Sequence, residues 1–428
     1  MEVIIIGAGA AGLMAAKKLS AKGINTLILE ARDRPGGRIH TIENLFTSTC
    51  EAGAEFIHGN LLLTKSLLKE AGLKATKVEG EICRIKNGYL KEENDFVAGW
   101  DILIRRLKEL KTDITISKFL EVYIPEEKYA DVKDSFKKYV QGYNAADIKD
   151  ASSFSIREEM ENEDDDQFRI NKGYGALINF LAEESKKNGC ILKTAAVVKQ
   201  INWQKNTVDV ITHDKTYNAQ KVIITIPIGV LQAAENEEGA IKFYPEIIEQ
   251  QSAINNIGYG GVIKILLEFN EAFWLEKQFL KERNINKPSF FFADTFIPTW
   301  WTQVPDEKPL LVGWLAGPDA NKYSNFNEDE FLEKSIISLT EILKVSRKYL
   351  YKKLKTYKVY NWAHDPFCRG AYSYSTVATK RAVKILKKPI ANTLYFAGEA
   401  LVKNSTGTVD AALQSGEEVA KKVLEGLI

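Results

Sequence analysis

The chain has 428 residues, of which 45% are hydrophobic and 27% are charged. This length is too large for one ordinary hydrophobic core, so the sequence predicts a globular protein of two domains. Its 58 Lys and Arg residues stand against 57 Asp and Glu, a net charge of +1, which excludes attraction to nucleic acid or to an anionic membrane through overall charge.

The cysteines and the apolar stretches bound the compartment. Four cysteines are scattered without CxxC spacing: Cys50, Cys83, Cys190 and Cys368. They argue against a disulfide framework and a structural zinc site. The longest apolar stretch, VIITIPIGVL from Val222, has half the length of a membrane span and contains a proline. The fold signal starts at Val3, which leaves no room for a cleaved leader. We therefore expect a cytoplasmic protein without metal, nucleic acid or membrane partners.

The first thirty residues predict the opening βαβ unit of a doubly wound parallel sheet. Residues 3–6 have the pattern of a buried strand, 10–21 of a helix and 26–30 of a second strand. Downstream, 171–188 predicts a helix, and β-rich runs follow at 197–203, 207–211 and 221–226. At the end of the chain, LYFAG from Leu394 predicts a strand. One face of a last helix carries Val409, Leu413, Gly416, Ala420, Val423 and Leu427.

Two longer segments separate these elements. Residues 80–170 are mostly helical and highly charged, and residues 235–388 contain strand signals at 262–269, 289–293 and 309–315. We expect them to form a second, interleaved domain. An acidic cluster runs from Glu158 to Asp166, and either a solvated surface or attraction of a cationic substrate would explain it.

The sequence GAGAAG lies between the first strand and the first helix. Gly7, Gly9 and Gly12, with Ala11, would let the backbone approach a pyrophosphate, whose charge would rest on free N–H groups at the helix start. Glu30 ends the second strand, where a carboxylate accepts hydrogen bonds from an adenosine ribose and disfavours a 2′-phosphate.

A second glycine pair, Gly36 and Gly37, stands directly before Arg38 in ARDRPGGR. A nicotinamide site does not need this pair. The two glycines suit a backbone that lies close against a longer cofactor, with Arg38 beside the diphosphate. Without the first glycine motif, the pair would indicate only an exposed turn. Ala31 and Arg32 belong to the same predicted cofactor site.

Four segments, IIIGAGAAGLMAA, LEARDRPGGR, EAGAEFIHG and YFAGEA with GTVDAALQSG, resemble the flavin-containing amine oxidases, the family of monoamine and polyamine oxidases. Their order and spacing match from end to end of the chain. The resemblance implies an α/β fold, in which a Rossmann-like FAD-binding domain (1–79, 171–234 and 389–428) is interleaved with an α+β substrate-binding domain (80–170 and 235–388).

The resemblance also implies which residues hold FAD. The backbone of Val198 would meet the adenine, and Gly398 and Glu399 would approach the ribityl chain and diphosphate. Thr408 and Val409 begin the last helix and would face the part of the flavin where negative charge develops on reduction. Monoamine oxidases carry a flavin-linked cysteine immediately before the active-site tyrosine, and here that position is Ala371. We therefore expect FAD to be bound without a covalent link.

Three residues are expected to act at the flavin. From the residues alone, Lys264 is a solvated strand lysine, but the family has a lysine at this place, bonded through a water to flavin N5. Trp362 and Tyr372 correspond to the aromatic residues that flank the reactive face. The surrounding DPFCRGAYSY is closer to polyamine oxidases and histone lysine demethylases than to mitochondrial monoamine oxidases.

Two further residues bear on the substrate. Thr408 stands where monoamine oxidases have a second tyrosine of an aromatic cage, so the full cage is absent. His58 in EFIHG matches the segment WIHG of animal polyamine oxidases, in which the histidine meets the substrate; as a bare sequence feature it is more often structural. With the acidic cluster, His58 favours a polyamine or another amine with a remote positive charge.

The implied reaction is oxidation of an amine to an imine and then an aldehyde, while oxygen is reduced to hydrogen peroxide. The partners are a small-molecule amine and oxygen, and the sequence leaves monomer and homodimer open. An L-amino-acid oxidase or a monoamine oxidase of the same fold stays an alternative. A histone demethylase is disfavoured, because its chromatin-reading domain and long helical insertion have no counterpart here. A third class is an FAD-binding redox or binding protein without amine oxidase activity.

Overall fold

The computed structural model describes residues 1–59, 61–86, 89–91, 99–162, 166–403 and 406–427. The described strands are β1 (Val3–Ile6), β2 (Thr26–Leu29), β3 (Thr41–Ile42), β4 (Cys50–Glu51), β5 (Phe56–His58), β6 (Ala75–Lys77), β7 (Glu81–Lys86), β8 (Tyr89–Lys91), β9 (Gln167–Ile170), β10 (Ile191–Lys193), β11 (Val198–Gln204), β12 (Thr207–Thr212), β13 (Thr216–Ala219), β14 (Lys221–Ile224), β15 (Lys242–Tyr244), β16 (Gly258–Gly260), β17 (Val262–Phe269), β18 (Pro288–Ala293), β19 (Thr299–Trp301), β20 (Leu310–Ala316), β21 (Leu354–Asn361), β22 (Tyr372–Tyr374) and β23 (Leu394–Phe396).

The described α-helices are α1 (Ala10–Ser20), α2 (Leu62–Glu70), α3 (Trp100–Glu109), α4 (Ile116–Tyr123), α5 (Ala130–Gly142), α6 (Ser153–Asn162), α7 (Tyr174–Lys187), α8 (Ile228–Leu231), α9 (Ile248–Asn255), α10 (Lys277–Arg283), α11 (Pro318–Lys322), α12 (Glu328–Leu343), α13 (Arg347–Lys353), α14 (Thr379–Leu386) and α15 (Val409–Glu425). Short 3₁₀ helices occupy Glu127–Tyr129, Phe273–Leu275 and Glu399–Leu401. Within the described ranges, no helix is both long and apolar enough to cross a membrane.

A five-stranded parallel sheet in the order β10-β2-β1-β14-β23 forms the centre of the molecule. Its strands are apolar on both faces because both faces are covered. Val3 and Ile5 pack against α1, α7 and α15, and Ile4 and Ile6 pack against the layer that contains β11–β13. The predicted opening βαβ unit is confirmed, with the helix ending at Ser20.

The C-terminal helix α15 packs directly on α1. A Cβ at Gly416 would lie 2.3 Å from the carbonyl oxygen of Ala11, so only a glycine permits this approach of the two helices. Strand β23 and helix α15 thereby bring the end of the chain back to the first sheet, as the sequence predicts.

A second sheet has seven strands in the order β21-β17-β20-β19-β18-β7-β8. In β17, Ile263, Ile265 and Leu267 pack into one core with α12, while the alternate side chains, including Lys264 and Leu266, lie on the opposite face. Helices α3–α6 have a hydrophobic core of their own.

The sheets follow the predicted interleaving. The parallel sheet takes strands from 1–79, 171–234 and 389–428, and the seven-stranded sheet takes strands from 80–170 and 235–388. Some pairs cross the predicted limits: β11 pairs with β15, and β5 pairs with β9. The domain boundaries therefore stay a prediction.

Candidate active site

The turn between β1 and α1 is built from backbone that excludes side chains. Gly7 has a φ of +102°, and a Cβ at Gly12 would lie 2.0 Å from the carbonyl oxygen of Gly7. By contrast, a Cβ at Gly9 would have its nearest protein neighbour, the carbonyl oxygen of Gly36, 4.0 Å away. Gly7 and Gly12 thus close the turn, and Gly9 leaves open space beside it.

The second glycine pair lies against this turn. Gly36 and Gly37 have φ values of +107° and +58°, and a Cβ at Gly37 would lie 3.8 Å from the Cα of Gly9. The two glycine segments therefore form one backbone surface. We define the glycine cradle as Gly7, Gly9, Gly12, Gly36 and Gly37.

Glu30 lies at the edge of the glycine cradle with its carboxylate fixed by backbone. Its Oε2 accepts a hydrogen bond from the amide of Ala8 at 2.7 Å, and its Oε1 accepts one from the amide of Arg32 at 2.9 Å. The guanidinium of Arg32 pairs with Asp365 at 2.6 Å and donates to the Sγ of Cys368 at 3.2 Å. Glu30, Ala31 and Arg32 all line the same cavity as the cradle.

Arg38 and Glu399, predicted separately as cofactor contacts, contact each other. Arg38 Nη1 donates to Glu399 Oε1 at 2.9 Å and to the carbonyl of Ala371 at 2.7 Å. Glu399 Oε2 also accepts hydrogen bonds from the hydroxyl of Ser373 and the amide of Gly407. This ion pair links the glycine cradle to the strand that carries Tyr372, a link that the sequence analysis missed.

The start of α15 faces the cavity together with Val198 at the start of β11. Thr408 caps α15, since its side chain accepts a hydrogen bond from the amide of Ala411 at 3.1 Å. Thr408 and Val409 line the cavity, as Val198 does. Gly398 also lines it, with a φ of +156° and no atom within 4 Å of a Cβ built there.

Lys264 is buried, with 1% of its surface exposed, so its assignment from the residues alone as a solvated strand lysine is wrong. Its Nζ donates to Glu55 Oε2 at 2.7 Å and to the carbonyl of Gly53 at 3.1 Å. It also lies 5.2 Å from the centre of the Trp301 ring. Lys264 is buried because this face of β17 is covered by a second hydrophobic cluster, which includes Trp301 and Val312.

Glu55 joins Lys264 to a second cation. Its Oε1 accepts hydrogen bonds from Arg169 Nε at 2.8 Å and from Trp301 Nε1 at 3.0 Å. Burial favours the neutral form of Glu55, but the attraction of Lys264 and Arg169 for its carboxylate is the larger effect. The pKa of Glu55 therefore lies below its usual range. The sequence analysis missed this residue, although Glu55 lies in the quoted segment EAGAEFIHG, directly between Ala54 and Phe56.

Trp362 and Tyr372 are held by backbone carbonyls. Trp362 is 6% exposed, and its Nε1 donates to the carbonyl of Ala52 at 2.9 Å. The Tyr372 hydroxyl donates to the carbonyl of Tyr143 at 2.6 Å, and its ring stacks on that of Trp314 with centres 6.5 Å apart. Burial, followed by the nearby Tyr143 and Glu159, raises the pKa of Tyr372 and keeps it a neutral phenol.

His58 lies in β5, close to the aromatic residues. Its ring meets that of Tyr143 edge to face, with centres 6.1 Å apart. Burial lowers the pKa of His58 to about 4, so the imidazole is neutral at physiological pH. We define the side-chain wall as His58, Lys264, Trp362 and Tyr372, with Glu55 behind Lys264.

The acidic cluster divides into residues with different surroundings. Glu158 lies 3.5 Å from Lys403, and Asp166 pairs with Lys77 at 2.6 Å. Glu159 accepts hydrogen bonds from the hydroxyl of Tyr139 at 3.0 Å and from Asn144 Nδ2 at 2.6 Å, and it lines the cavity. Residues 163–165 lie outside the described residues.

One cavity of about 2610 Å³ is lined by both the glycine cradle and the side-chain wall. Its backbone cradle, its fixed Glu30 carboxylate and the helix start at Thr408 fit the diphosphate, ribose and ring of a dinucleotide-sized flavin. The open space beside Gly9 and Gly398 is the space such a cofactor would occupy. The predicted cofactor and reaction residues therefore border one continuous volume, except Gly12, which closes the turn behind the cavity lining.

Solved structures share this fold. Wild-type putrescine oxidase bound to putrescine superposes with a TM-score of 0.81 at 19% identity, and the match covers 99% of both chains. Cyclohexylamine oxidase from Brevibacterium oxydans IH-35A gives a TM-score of 0.81 at 18% identity, over 100% of this chain and 99% of that one. The predicted α/β fold is confirmed.

Curated relatives match along nearly the whole chain. Lysine-specific histone demethylase 2 of Homo sapiens is 28% identical over 99% of this chain and 53% of its own length. Polyamine oxidase 4 of Oryza sativa subsp. japonica is 27% identical over 99% of this chain and 89% of its own length. The chain thus spans about half the length of the human demethylase.

A family model described as flavin containing amine oxidoreductase matches residues 10–424. This match confirms the resemblance noted in the sequence and the expectation of FAD as the cofactor, and it supports the expectation of an amine-acting oxidoreductase. The chain belongs to the flavin-containing amine oxidoreductase family.

Proposed function

We propose that the chain is an FAD-dependent amine oxidase that oxidises the C–N bond of a polyamine-like or other primary or secondary amine. The observation that carries this proposal is the single cavity that joins the glycine cradle to the side-chain wall. The glycine cradle can hold a dinucleotide cofactor, and the side-chain wall provides neutral and charged hydrogen-bond donors beside flat aromatic rings.

The residues that would hold FAD are those of the glycine cradle, with Ala11, Glu30, Ala31, Arg32, Arg38, Val198, Trp362, Gly398, Glu399, Thr408 and Val409. We propose that they bind it without a covalent link. Ala371 precedes Tyr372, and the thiol of Cys368 contacts Arg32 in a buried position. When bound, FAD would supply the two-electron oxidation of the carbon beside the amine nitrogen, with oxygen as the final electron acceptor.

The proposed reaction consists of one oxidation of the amine and one hydrolysis of the resulting imine. An amine R–CH2–NH–R′ reacts with O2 and water to give R–CHO, R′–NH2 and H2O2. The amine must enter as the neutral species, because a protonated nitrogen has no lone pair to assist C–H cleavage. The neutral His58 and the neutral phenol of Tyr372 add no charge that would repel or trap it.

The chain's own residues would orient the amine and exclude water. Trp362 and Tyr372 are fixed through backbone carbonyls, so their rings form rigid sides of a slot. Lys264 would hold a water or a developing charge with the N–H that Glu55 and Gly53 do not use. These roles make Lys264, Trp362 and Tyr372 the proposed catalytic residues, with His58, Tyr372 and Thr408 facing the substrate.

A substrate with a second, remote ammonium group fits the cavity. Glu159 lines it and contributes to the pKa of Tyr372, so its carboxylate is near the proposed slot. Tyr139 and Asn144 fix its position. A carboxylate there would favour a diamine or polyamine over a monoamine through charge attraction in a partly desolvated site.

A second candidate is demethylation of a lysine side chain. The similarity to a histone demethylase over 99% of this chain favours it. A methylated lysine would offer the same C–N bond, with formaldehyde as the aldehyde product.

The experiment is a peroxide assay on the purified flavoprotein. Putrescine, spermidine, spermine, acetylated polyamines, aromatic monoamines, amino acids and a methyl-lysine peptide are compared under identical conditions. Peroxide from spermine or spermidine supports the proposal, and formaldehyde from the peptide supports the second candidate. Peroxide from amino acids alone would indicate an L-amino-acid oxidase. A bound flavin that no amine reduces under anaerobic conditions would reject amine oxidation altogether.

A further inference from the structure

A buried three-residue charge network lies behind the side-chain wall. Glu55 stands between two cations, with Lys264 Nζ at 2.7 Å from one carboxylate oxygen and Arg169 Nε at 2.8 Å from the other. The side chains of Lys264 and Glu55 are 1% and 6% exposed. Arg169 is anchored away from the cavity by the carbonyls of Thr302 and Val304.

The hydrogen bonds of Lys264 indicate which of its N–H groups faces the cavity. An ammonium has three donors and no acceptor. Two of them are used by Glu55 and by the carbonyl of Gly53. Because Lys264 also lines the cavity, its third N–H is the one available to a bound molecule there.

The same network determines the charge of the lysine. A lysine buried among apolar residues tends to lose its proton, because the charged form loses its hydration. Here a carboxylate at 2.7 Å and the face of Trp301 at 5.2 Å favour the ammonium. The neighbouring ionisable groups are Glu51, whose pKa burial raises to about 7, and Cys50, whose pKa burial raises to about 12.

We propose that Glu55 is a positioning residue that keeps Lys264 a fixed, charged donor at the cavity wall. Arg169 holds the carboxylate, the carboxylate holds the ammonium, and the ammonium presents one N–H to the cavity. The lysine then acts as a cation and hydrogen-bond donor and not as a base. The inference rests on the proposed function only where flavin reactivity is measured.

The first test needs neither substrate nor turnover. E55Q removes the charge but keeps the shape, and E55Q/K264M removes the lysine as well. In E55Q, the buried side chain of Lys264 loses the carboxylate that favours its charged form. Where the folded variant holds a neutral amine and the unfolded chain still binds the proton, the stability of E55Q should rise with pH.

Between about pH 8 and pH 10, the melting temperature of E55Q should therefore rise by about 2 to 3 °C relative to E55Q/K264M. Glu51 and Cys50 occur in both variants, but the charge on Lys264 lowers the pKa of each. The parent protein and K264M are therefore compared in the same way, and that difference is subtracted. Parallel melting curves for E55Q and E55Q/K264M would overturn the proposal.

The second test follows oxygen reoxidation of the chemically reduced flavoprotein, which requires no amine. At about pH 8.5, E55Q should react several-fold more slowly than the parent protein, and the difference should shrink at about pH 6, because a low pH favours the ammonium even without the carboxylate. A loss of the same size at every pH would assign Glu55 a purely structural role and reject the proposal. Failure of the amine panel leaves this measurement intact.

The control is E268Q. Glu268 lies on the same strand as Lys264, is 1% exposed, and contacts Lys355 at 3.4 Å, outside the cavity lining. The E268Q substitution should leave the pH profile of reoxidation unchanged.

If E55Q does not fold, E55D is used to test the proposal. The shorter carboxylate keeps Lys264 charged but displaces it, so the rate of reoxidation should fall with an unaltered pH profile. A parental rate in E55D would overturn the proposal.

Discussion

The glycine cradle and the side-chain wall border the same cavity but are built in opposite ways. The cradle is backbone: its residues matter because they lack a Cβ, as the 2.0 Å approach at Gly12 shows. The wall is side chains, and each is fixed by a partner from a distant segment, such as Glu55 for Lys264. A backbone site is therefore specified by neighbours in sequence, whereas a side-chain site is specified by the fold.

The sharpest test of this contrast uses two glycines of one turn. Gly12→Val would place side-chain atoms inside the backbone at Gly7, so we expect a loss of more than about 3 kcal/mol of stability and no bound flavin. Gly9→Ala meets its nearest protein atom only at 4.0 Å. It should cost the apoprotein less than about 1 kcal/mol while it weakens FAD binding at least tenfold.

Urea unfolding of the apoproteins and FAD titration by fluorescence measure the two effects. If Gly9→Ala destabilises the apoprotein as much as Gly12→Val, the open space beside Gly9 has no special relation to the cofactor. If Gly9→Ala leaves FAD affinity unchanged, the cradle does not hold the cofactor at this point.

The same contrast explains what the sequence could predict. The strand, glycine turn and helix of residues 3–20 follow from local pattern, and so does the carboxylate at Glu30. The side-chain wall could be predicted only through the family resemblance, since Lys264 and Trp362 are 98 residues apart in sequence. The Arg38–Glu399 and Lys264–Glu55 pairs were missed because nothing in either partner's local sequence indicates the other.

Lys264→Met tests the wall where its charges are buried. Glu55 would keep Arg169 as its cation, so we expect a loss of about 3 kcal/mol of stability, at the low end for a broken buried pair. FAD should stay bound, and flavin reduction or reoxidation should slow, as stopped-flow absorbance would show. Lys186→Met is the control, because both side chains of its ion pair with Glu183 are exposed and the pair should contribute below about 1 kcal/mol. Unchanged stopped-flow rates would remove Lys264 from the reaction.

His58 gives the wall a pH dependence that the cradle lacks. Its pKa is about 4 in the folded protein and about 6.5 in the unfolded chain. As the pH falls from about 6.5 to about 4, the unfolded chain takes up a proton that the folded protein does not, so stability is lost. His58→Gln should remove about 3 kcal/mol of that loss.

Unfolding free energies at several pH values measure this difference. His213→Gln is the matched control, since its side chain is 88% exposed and should leave the pH dependence of stability nearly unchanged. His40, whose pKa is also lowered to about 4 by burial, is common to all these proteins. Identical pH profiles for His58→Gln and the parent would show that the imidazole is protonated equally well in both states.

The smallest expected effect concerns Glu159, which lines the cavity near Tyr372 of the side-chain wall. Glu159→Gln keeps acceptors and donors for Tyr139 and Asn144 but removes the charge that would attract a remote ammonium. For a diamine or polyamine, KM should rise about tenfold, which corresponds to about 1.4 kcal/mol, with kcat nearly constant because the lost interaction is equal in ground and transition states. A monoamine of the same chain length should show no change.

Glu161→Gln separates a local contact from the general field of the acidic helix. Glu161 is exposed on α6, two residues from Glu159 and outside the cavity lining. The substitution Glu161→Gln therefore removes the same charge without altering the slot. An equal rise in KM for both variants would mean that the helix attracts cations only at long range, an effect that salt should abolish. A rise confined to Glu159→Gln and to substrates with two amines would place the second ammonium beside this carboxylate. The substrate would then be selected by side chains near the wall and not by the backbone of the cradle.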